Sequence, residues 1–188
     1  MDLPGWAADA AHHHLARTLP RRWAHTQGVA ARARSLAPLL ENAGLLEAAA
    51  WLHDIGYAPG LARTGFHPLD GARYLRDVEQ AGDVLCRLVA HHSCAIIEAE
   101  ERGLAGQLLR EFQPVRGDLT GALIYCDMTT SPDGKATLVE ERLAEIVTRY
   151  GPGHLVTRSI TRSGPHLAEA VARVACKLAA HASEPLVA

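Results

Sequence analysis

Lysine is nearly missing from this chain of 188 residues: Lys135 and Lys177 are the only two, and arginine supplies the rest of the 19 basic side chains. Against 21 acidic side chains these leave a formal net charge of −2 with histidine neutral. General affinity for nucleic acid is therefore not expected, and any phosphate site has to be a local cluster of arginine or lysine. Aromatic residues are scarce at 5%, whereas alanine and leucine, the strongest helix formers, abound, so helix is the first expectation. No run of about 18 apolar residues occurs, which argues against a membrane-spanning helix. The start, Met1-Asp2-Leu3-Pro4, lacks a basic segment leading into an apolar stretch; no secretory signal is expected, and a cytoplasmic location follows. The four cysteines, Cys86, Cys94, Cys126 and Cys176, contain no C-x-x-C pair. Neither a zinc knuckle nor a redox motif is indicated, and buried reduced thiols are the expectation. A Gly-x-Ser-x-Gly nucleophile motif is also absent.

The apolar spacing predicts an all-α fold, an irregular helical bundle. Short helices are expected over 7–18 and, from Pro20, over 21–40, proline being suited to a first helical position. Leu45–Asp54 reads as a compact apolar helix with Gly56 at its C-terminal cap, followed by a loop at Pro59-Gly60. Further helices are expected over 67–78, 83–91, 95–101, 119–129 and 137–150, and a last one over 165–182. Residues 113–118 read as a loop and Ser131-Pro132-Asp133-Gly134 as a turn. The helix over 137–150 is assigned a buried side carrying Leu138, Leu143, Ile146 and Val147. Organisation follows as an N-terminal helical extension over 1–19, a core over 20–135, and C-terminal helices over 136–188 packed on the same domain.

What the chain does have is histidine, eleven in all, several inside apolar segments. A single histidine on a helix is usually structural, and His12-His13-His14 read as surface because neighbours on a helix point in different directions. His154, His166 and His181 read the same way. Asp127 is more telling, since it follows Gly121-Ala122-Leu123-Ile124-Tyr125-Cys126 and an unpaired buried carboxylate is costly. His53-Asp54 poses the same problem after Ala48-Ala49-Ala50-Trp51-Leu52. Together His25, His53, Asp54, His67, His91, His92 and Asp127 form a mixed nitrogen and oxygen ligand field. Such a field suits Mn, Fe, Co, Ni or Zn. A carboxylate such as Asp54 can bridge two ions, and such a pair can activate a shared water and clamp a phosphoryl oxygen.

The ordered set resembles the HD-domain superfamily of metal-dependent phosphohydrolases. The stretches that carry the resemblance are His25-Thr26-Gln27-Gly28-Val29, Leu52-His53-Asp54-Ile55-Gly56, His67-Pro68-Leu69-Asp70-Gly71, His91-His92-Ser93 and Tyr125-Cys126-Asp127. The resemblance implies a minimal metal site at His25, His53, Asp54 and Asp127. Two-metal members add ligands that match His67 and His91, with Asp54 as the bridge. Some cyclic-dinucleotide phosphodiesterases carry an HHE triplet; here Ser93 stands where the glutamate would be, and the following Gly-Tyr-Pro motif is missing, so that activity is not expected. Many phosphodiesterase members also have lysine where this chain has Tyr57. Lys135 and Arg63 are the candidates to bind substrate in its place, Lys135 foremost because the chain otherwise hardly uses lysine. Arg21 and Arg22 lie just before His25.

These readings lead to a phosphohydrolase holding two divalent transition-metal ions and acting on a nucleotide or other small phosphate ester. Asp54 is expected to orient the nucleophilic water and His92 to donate a proton to the leaving oxygen. A mixed-valent di-iron oxygenase would use the same six ligands, and a non-catalytic metal-stabilised binding module is the third alternative. A homodimer through the last helix stays open.

Overall fold

The computed structural model describes residues 2–183; Met1 and the last five residues of the 136–188 segment lie outside it. The described residues form helices joined by short turns: α1 (Leu3–Leu15), α2 (Pro20–Ser35), α3 (Ala43–Leu52), α4 (His67–Asp77), α5 (Asp83–His91), α6 (Ala95–Glu101), α7 (Ala105–Glu111), α8 (Asp118–Met128), α9 (Val139–Tyr150) and α10 (Leu155–Ala182). No strand forms among them, and one isolated antiparallel bridge links Thr130 to Ala136. None of these helices is long and apolar enough to cross a membrane.

The caps follow local chemistry. Asp2 accepts from the Gly5 amide at 3.2 Å to start α1, and Pro20 opens α2 where no amide partner is needed. The Glu141 carboxylate takes the Leu138 amide at 3.2 Å and the Thr137 hydroxyl at 2.7 Å at the head of α9.

Helix α8 is the centre of the bundle. It packs against α2, α3 and α5 on one side and against α9 and α10 on the other. Leu123 and Cys126 join the larger core with Leu46, Leu52, Phe66 and Leu88. Ile124 and Met128 join a smaller core with Val139 and Ile146 of α9 and Leu167 and Val171 of α10. A helix apolar on all sides has to be covered on all sides, and Asp127 rides on it between the two cores.

Several expectations need correction. Helix α7 was not foreseen; it buries only Leu108, so its apolar signal is weak. Helix α10 starts at Leu155 rather than at Pro165 and runs through that proline, forgoing one backbone hydrogen bond while its flanks pack on α8 and α9. On α9 the buried residues are Val139, Arg142 and Ile146, whereas Leu138 is 63% and Val147 37% exposed. Cys176 is exposed rather than buried.

Gly56 does not cap α3. It sits in a short 3₁₀ turn, Ile55–Tyr57, and serves close approach. A Cβ there would meet the His67 carbonyl oxygen at 2.1 Å and the Gly71 amide nitrogen at 2.6 Å, both backbone atoms of α4. This contact seats the His53-Asp54 segment on the start of α4. Gly56→Ala is expected to destabilise the fold by about 1–3 kcal/mol or more, as overpacking against backbone does. Gly60→Ala, where a Cβ meets nothing within 4 Å, should be near neutral. Chemical denaturation of both variants checks this; equal stabilities would contradict the contact.

Candidate metal centre

Six side chains converge where α2, α3, α4, α5 and α8 meet. His25 comes from the middle of α2, His53 and Asp54 from the end of α3, His67 from the first position of α4, His92 from just past α5, and Asp127 from the last turn of α8. His25, His53, Asp54, His92 and Asp127 are all buried.

The imidazoles are oriented from behind. His25 Nδ1–H donates to the Ser131 carbonyl at 3.0 Å, His53 Nδ1–H to the Ala50 carbonyl at 2.7 Å, and His92 Nδ1–H to the Val89 carbonyl at 2.7 Å. A carbonyl only accepts, so Nδ1 carries a proton in all three rings, and Nε2 holds the lone pair whenever the ring is neutral. Those Nε2 atoms face inward. His53 Nε2 is buried and has no hydrogen-bond partner. Imidazoles anchored on the backbone through Nδ1, with Nε2 turned inward, are the usual support of metal-ligating histidines.

The spacing agrees. His25 Nε2 is 3.1 Å from Asp127 Oδ1, His53 Nε2 is 3.4 Å from Asp54 Oδ2, His67 Nε2 is 3.3 Å from Asp54 Oδ1, and His67 and His92 Nε2 are 3.1 Å apart. Neighbouring ligands held about 2.1 Å from one ion stand about 3.0–3.4 Å apart. Two groups can hold an ion, His25-His53-Asp54 and Asp54-His67-His92, and Asp54 belongs to both. One of its oxygens faces each histidine set.

Charge is tuned to match. Burial pushes the Asp54 carboxyl upward, but Arg22, His53 and His67 outweigh it and hold its pKa well below the usual range. Asp127 is likewise held low against burial, chiefly by the hydrogen bond from His25 and by the field of His53. Burial keeps His67 and His92 below the ordinary histidine value. Burial opposes the charge on His53 too, yet Asp54 beside it lifts its pKa to about 9. Ionised carboxylates and neutral imidazoles are the ligand forms, and on His53 a metal has to displace a proton.

Not every expected residue is brought here. His91 turns away, its Nε2–H donating to the Phe112 carbonyl at 2.7 Å, and His92 takes the inward place. Helix α5 ends at His91, and the next residues break from it: Ser93 and Cys94 both have positive φ, 49° and 58°. Consecutive left-handed non-glycine residues are strained. The turn aims His92 inward and lets the Ser93 hydroxyl donate to Asp127 Oδ2. Arg63 and Lys135 are exposed and line no part of the cleft. The loop amides of Arg63 and Thr64 are tied to the buried Asp70, and Lys135 follows Gly134, whose backbone packs on Ala24 of α2.

The cleft over the cluster measures about 90 Å³. Its cationic wall is Arg22, Arg142 and Arg149. Arg22 donates to Asp54 Oδ2 at 2.7 Å and lies 4.0 Å from the centroid of the Tyr57 ring, which stacks on His67 at 3.9 Å. Arg142 and Arg149 were missed in the sequence; the available signal was an arginine at helical spacing between Val139 and Ile146. His12 and His13 are exposed, and His14 bonds the Tyr74 hydroxyl at 2.9 Å.

Metal content by mass spectrometry separates the two adjacent histidines. Asp54→Ala should lose most bound metal and His92→Ala part of it, while His91→Ala should keep near wild-type content. Loss in His91→Ala with retention in His92→Ala would reverse the assignment.

Among known proteins, a family model described as HD domain matches residues 22–148, more than half of the chain. No curated protein and no solved structure matches it.

Proposed function

The chain belongs to the HD-domain family, a superfamily of metal-dependent hydrolases, and on that premise we propose that it is a phosphohydrolase of a nucleotide or other small phosphate ester. The observation that carries this reading is the pairing of two His/Asp groups that share Asp54 with a wall of three guanidiniums in the same cleft. Guanidinium groups suit phosphoryl oxygens because their planar forks donate two parallel hydrogen bonds.

On this reading His25, His53, Asp54 and Asp127 hold one ion, and Asp54, His67 and His92 a second. When bound, such ions supply a water acidic enough to lose its proton near neutral pH, and positive charge against the phosphoryl oxygens. The chain's own residues do the rest. Asp54 holds its two oxygens toward the two histidine sets and fixes where the attack begins. Arg22, braced on Tyr57, takes the place of the lysine found in many phosphodiesterases. His92 serves as a ligand rather than as the proton donor expected from sequence, because its Nε2 lies within the group and its Nδ1–H is committed to Val89.

The test is turnover of p-nitrophenyl phosphate and nucleoside monophosphates with added Mn, Co, Ni or Zn. Chelation should abolish the rate and metal should restore it. Asp54→Ala should lower kcat by about a thousandfold or more, the scale seen when a central catalytic group is removed. An unaffected rate in that variant would overturn the mechanism. Bound iron with oxygen uptake and no phosphate release would establish the di-iron oxygenase instead, and metal without either reaction would favour a binding module.

A further inference from the structure

The arginine wall has a second side. Arg22, Arg142 and Arg149, which line the 90 Å³ cleft, also line an adjoining pocket of about 290 Å³. Arg21, Leu19, Pro20 and Pro132 form most of the rest of its wall. Four arginines thus line one small space. Their carboxylate partners stand outside it: Asp54 pairs with Arg22 at 2.7 Å, Asp133 with Arg21 at 2.9 Å, and Glu145 is shared between Arg142 at 2.5 Å and Arg149 at 3.6 Å. Neither Asp133 nor Glu145 lines the pocket. Two arginines on one carboxylate leave a surplus of positive charge. Arg142 is only 5% exposed, and its Nε–H is buried without an acceptor. A buried donor lacking an acceptor is rare, and it costs most on a charged group.

We infer that this pocket receives a second phosphate-like anion of the substrate, so that the preferred substrates are phosphate esters carrying two phosphoryl groups. The inference rests on the phosphohydrolase reading for the reaction but not for the pocket. One phosphoryl group occupies the cleft over Asp54, and the other lies beyond the shared arginines. The apolar wall of Leu19, Pro20 and Pro132 accommodates part of the carrier between them. Nothing in the pocket selects a particular base or sugar, so the recognised feature is the pair of anions.

Two measurements test this, both on Arg149→Gln, whose side chain is 30% exposed and carries little of the fold. First, the metal-stripped protein, kept in chelator, is titrated calorimetrically with inorganic pyrophosphate. The wild type should bind, and Arg149→Gln should bind about tenfold more weakly or worse, about the loss of one charge-assisted hydrogen bond. Arg149→Lys should recover part of the affinity. Second, the metal-loaded protein is compared on adenosine 3′,5′-bisphosphate and adenosine 5′-monophosphate. The ratio of kcat/KM should favour the bisphosphate in the wild type and fall toward one in Arg149→Gln. Pyrophosphate binding lost both in Arg149→Gln and in Arg21→Gln, a residue that lines the adjoining pocket but not the cleft, supports the pocket even if no ester is hydrolysed, in which case the phosphohydrolase reading fails alone. Hydrolysis of both esters at equal efficiency, with pyrophosphate unbound or bound equally by wild type and variant, overturns the pocket and leaves the phosphohydrolase reading standing.

Discussion

Two carboxylates, Asp54 and Asp127, are buried where five helices meet and are kept ionised there. Burying a charge is expensive unless it is matched, and the surrounding architecture supplies the match from several directions. Arg22 reaches Asp54 from α2, His25 and Ser93 reach Asp127, and His53 stands between them. Each matching group needs its own anchor. The carbonyls of Ala50, Val89 and Ser131 hold three imidazoles by their outer nitrogens, and Gly56 allows the end of α3 to press on the start of α4. The bundle is irregular because its helices end where these anchors are required. His53-Asp54, His67, His92 and Asp127 all lie at or near helix ends, where backbone groups and φ/ψ freedom are available.

The C-terminal helices have a different task. Helices α9 and α10 contribute none of the six converging side chains. They close the smaller core over α8 and thereby carry Arg142 and Arg149 to the rim of the cleft. The family match ends at residue 148, one residue short of Arg149. The match thus takes in Arg142 and most of α9 and leaves out Arg149 and α10. Exposed ion pairs such as Arg158–Glu101 and Arg162–Glu100, linking α10 to α6, add little stability individually. The attachment of α10 rests mainly on Leu167, Ala170 and Val171.

Much of this was legible in the residues. Helical spacing gave the all-α class and most helix positions, and Asp127 after six apolar or small residues announced a buried charge that needed a partner. What was not legible turned on phase and on distant backbone. His91 and His92 are neighbours, and which of them faces inward depends on where α5 stops and on the Phe112 carbonyl, which follows a helix with only one buried residue. The apolar count on α9 chose Leu138 and Val147, yet the buried stripe includes Arg142, because a charged side chain can be drawn inward when the cavity beneath it is polar. Lys135 stood out by rarity, but rarity says nothing of direction, and its side chain points to solvent. Pro165 read as a helix start because local sequence cannot show that flanking contacts on α8 and α9 outweigh one lost hydrogen bond.

The anchor of His25 lies 106 residues further along the chain, at Ser131. The turn that carries Ser131 sits on α2 through a glycine-to-glycine contact: a Cβ on Gly28 would lie 2.4 Å from the Gly134 carbonyl oxygen, and Gly134 has φ +77°. During synthesis His25, His53, His67 and His92 leave the ribosome well before that turn does. Until residues 131–134 emerge, the first imidazole lacks its carbonyl, whereas His53 and His92 have theirs close by in sequence at Ala50 and Val89. The orientation of His25 therefore belongs to the finished fold. The same geometry fixes both glycines: a side chain gained at Gly28 would strike the Gly134 carbonyl, and one gained at Gly134 would strike the Ala24 carbonyl at 2.3 Å, so the seating of this turn on α2 tolerates a Cβ at neither position.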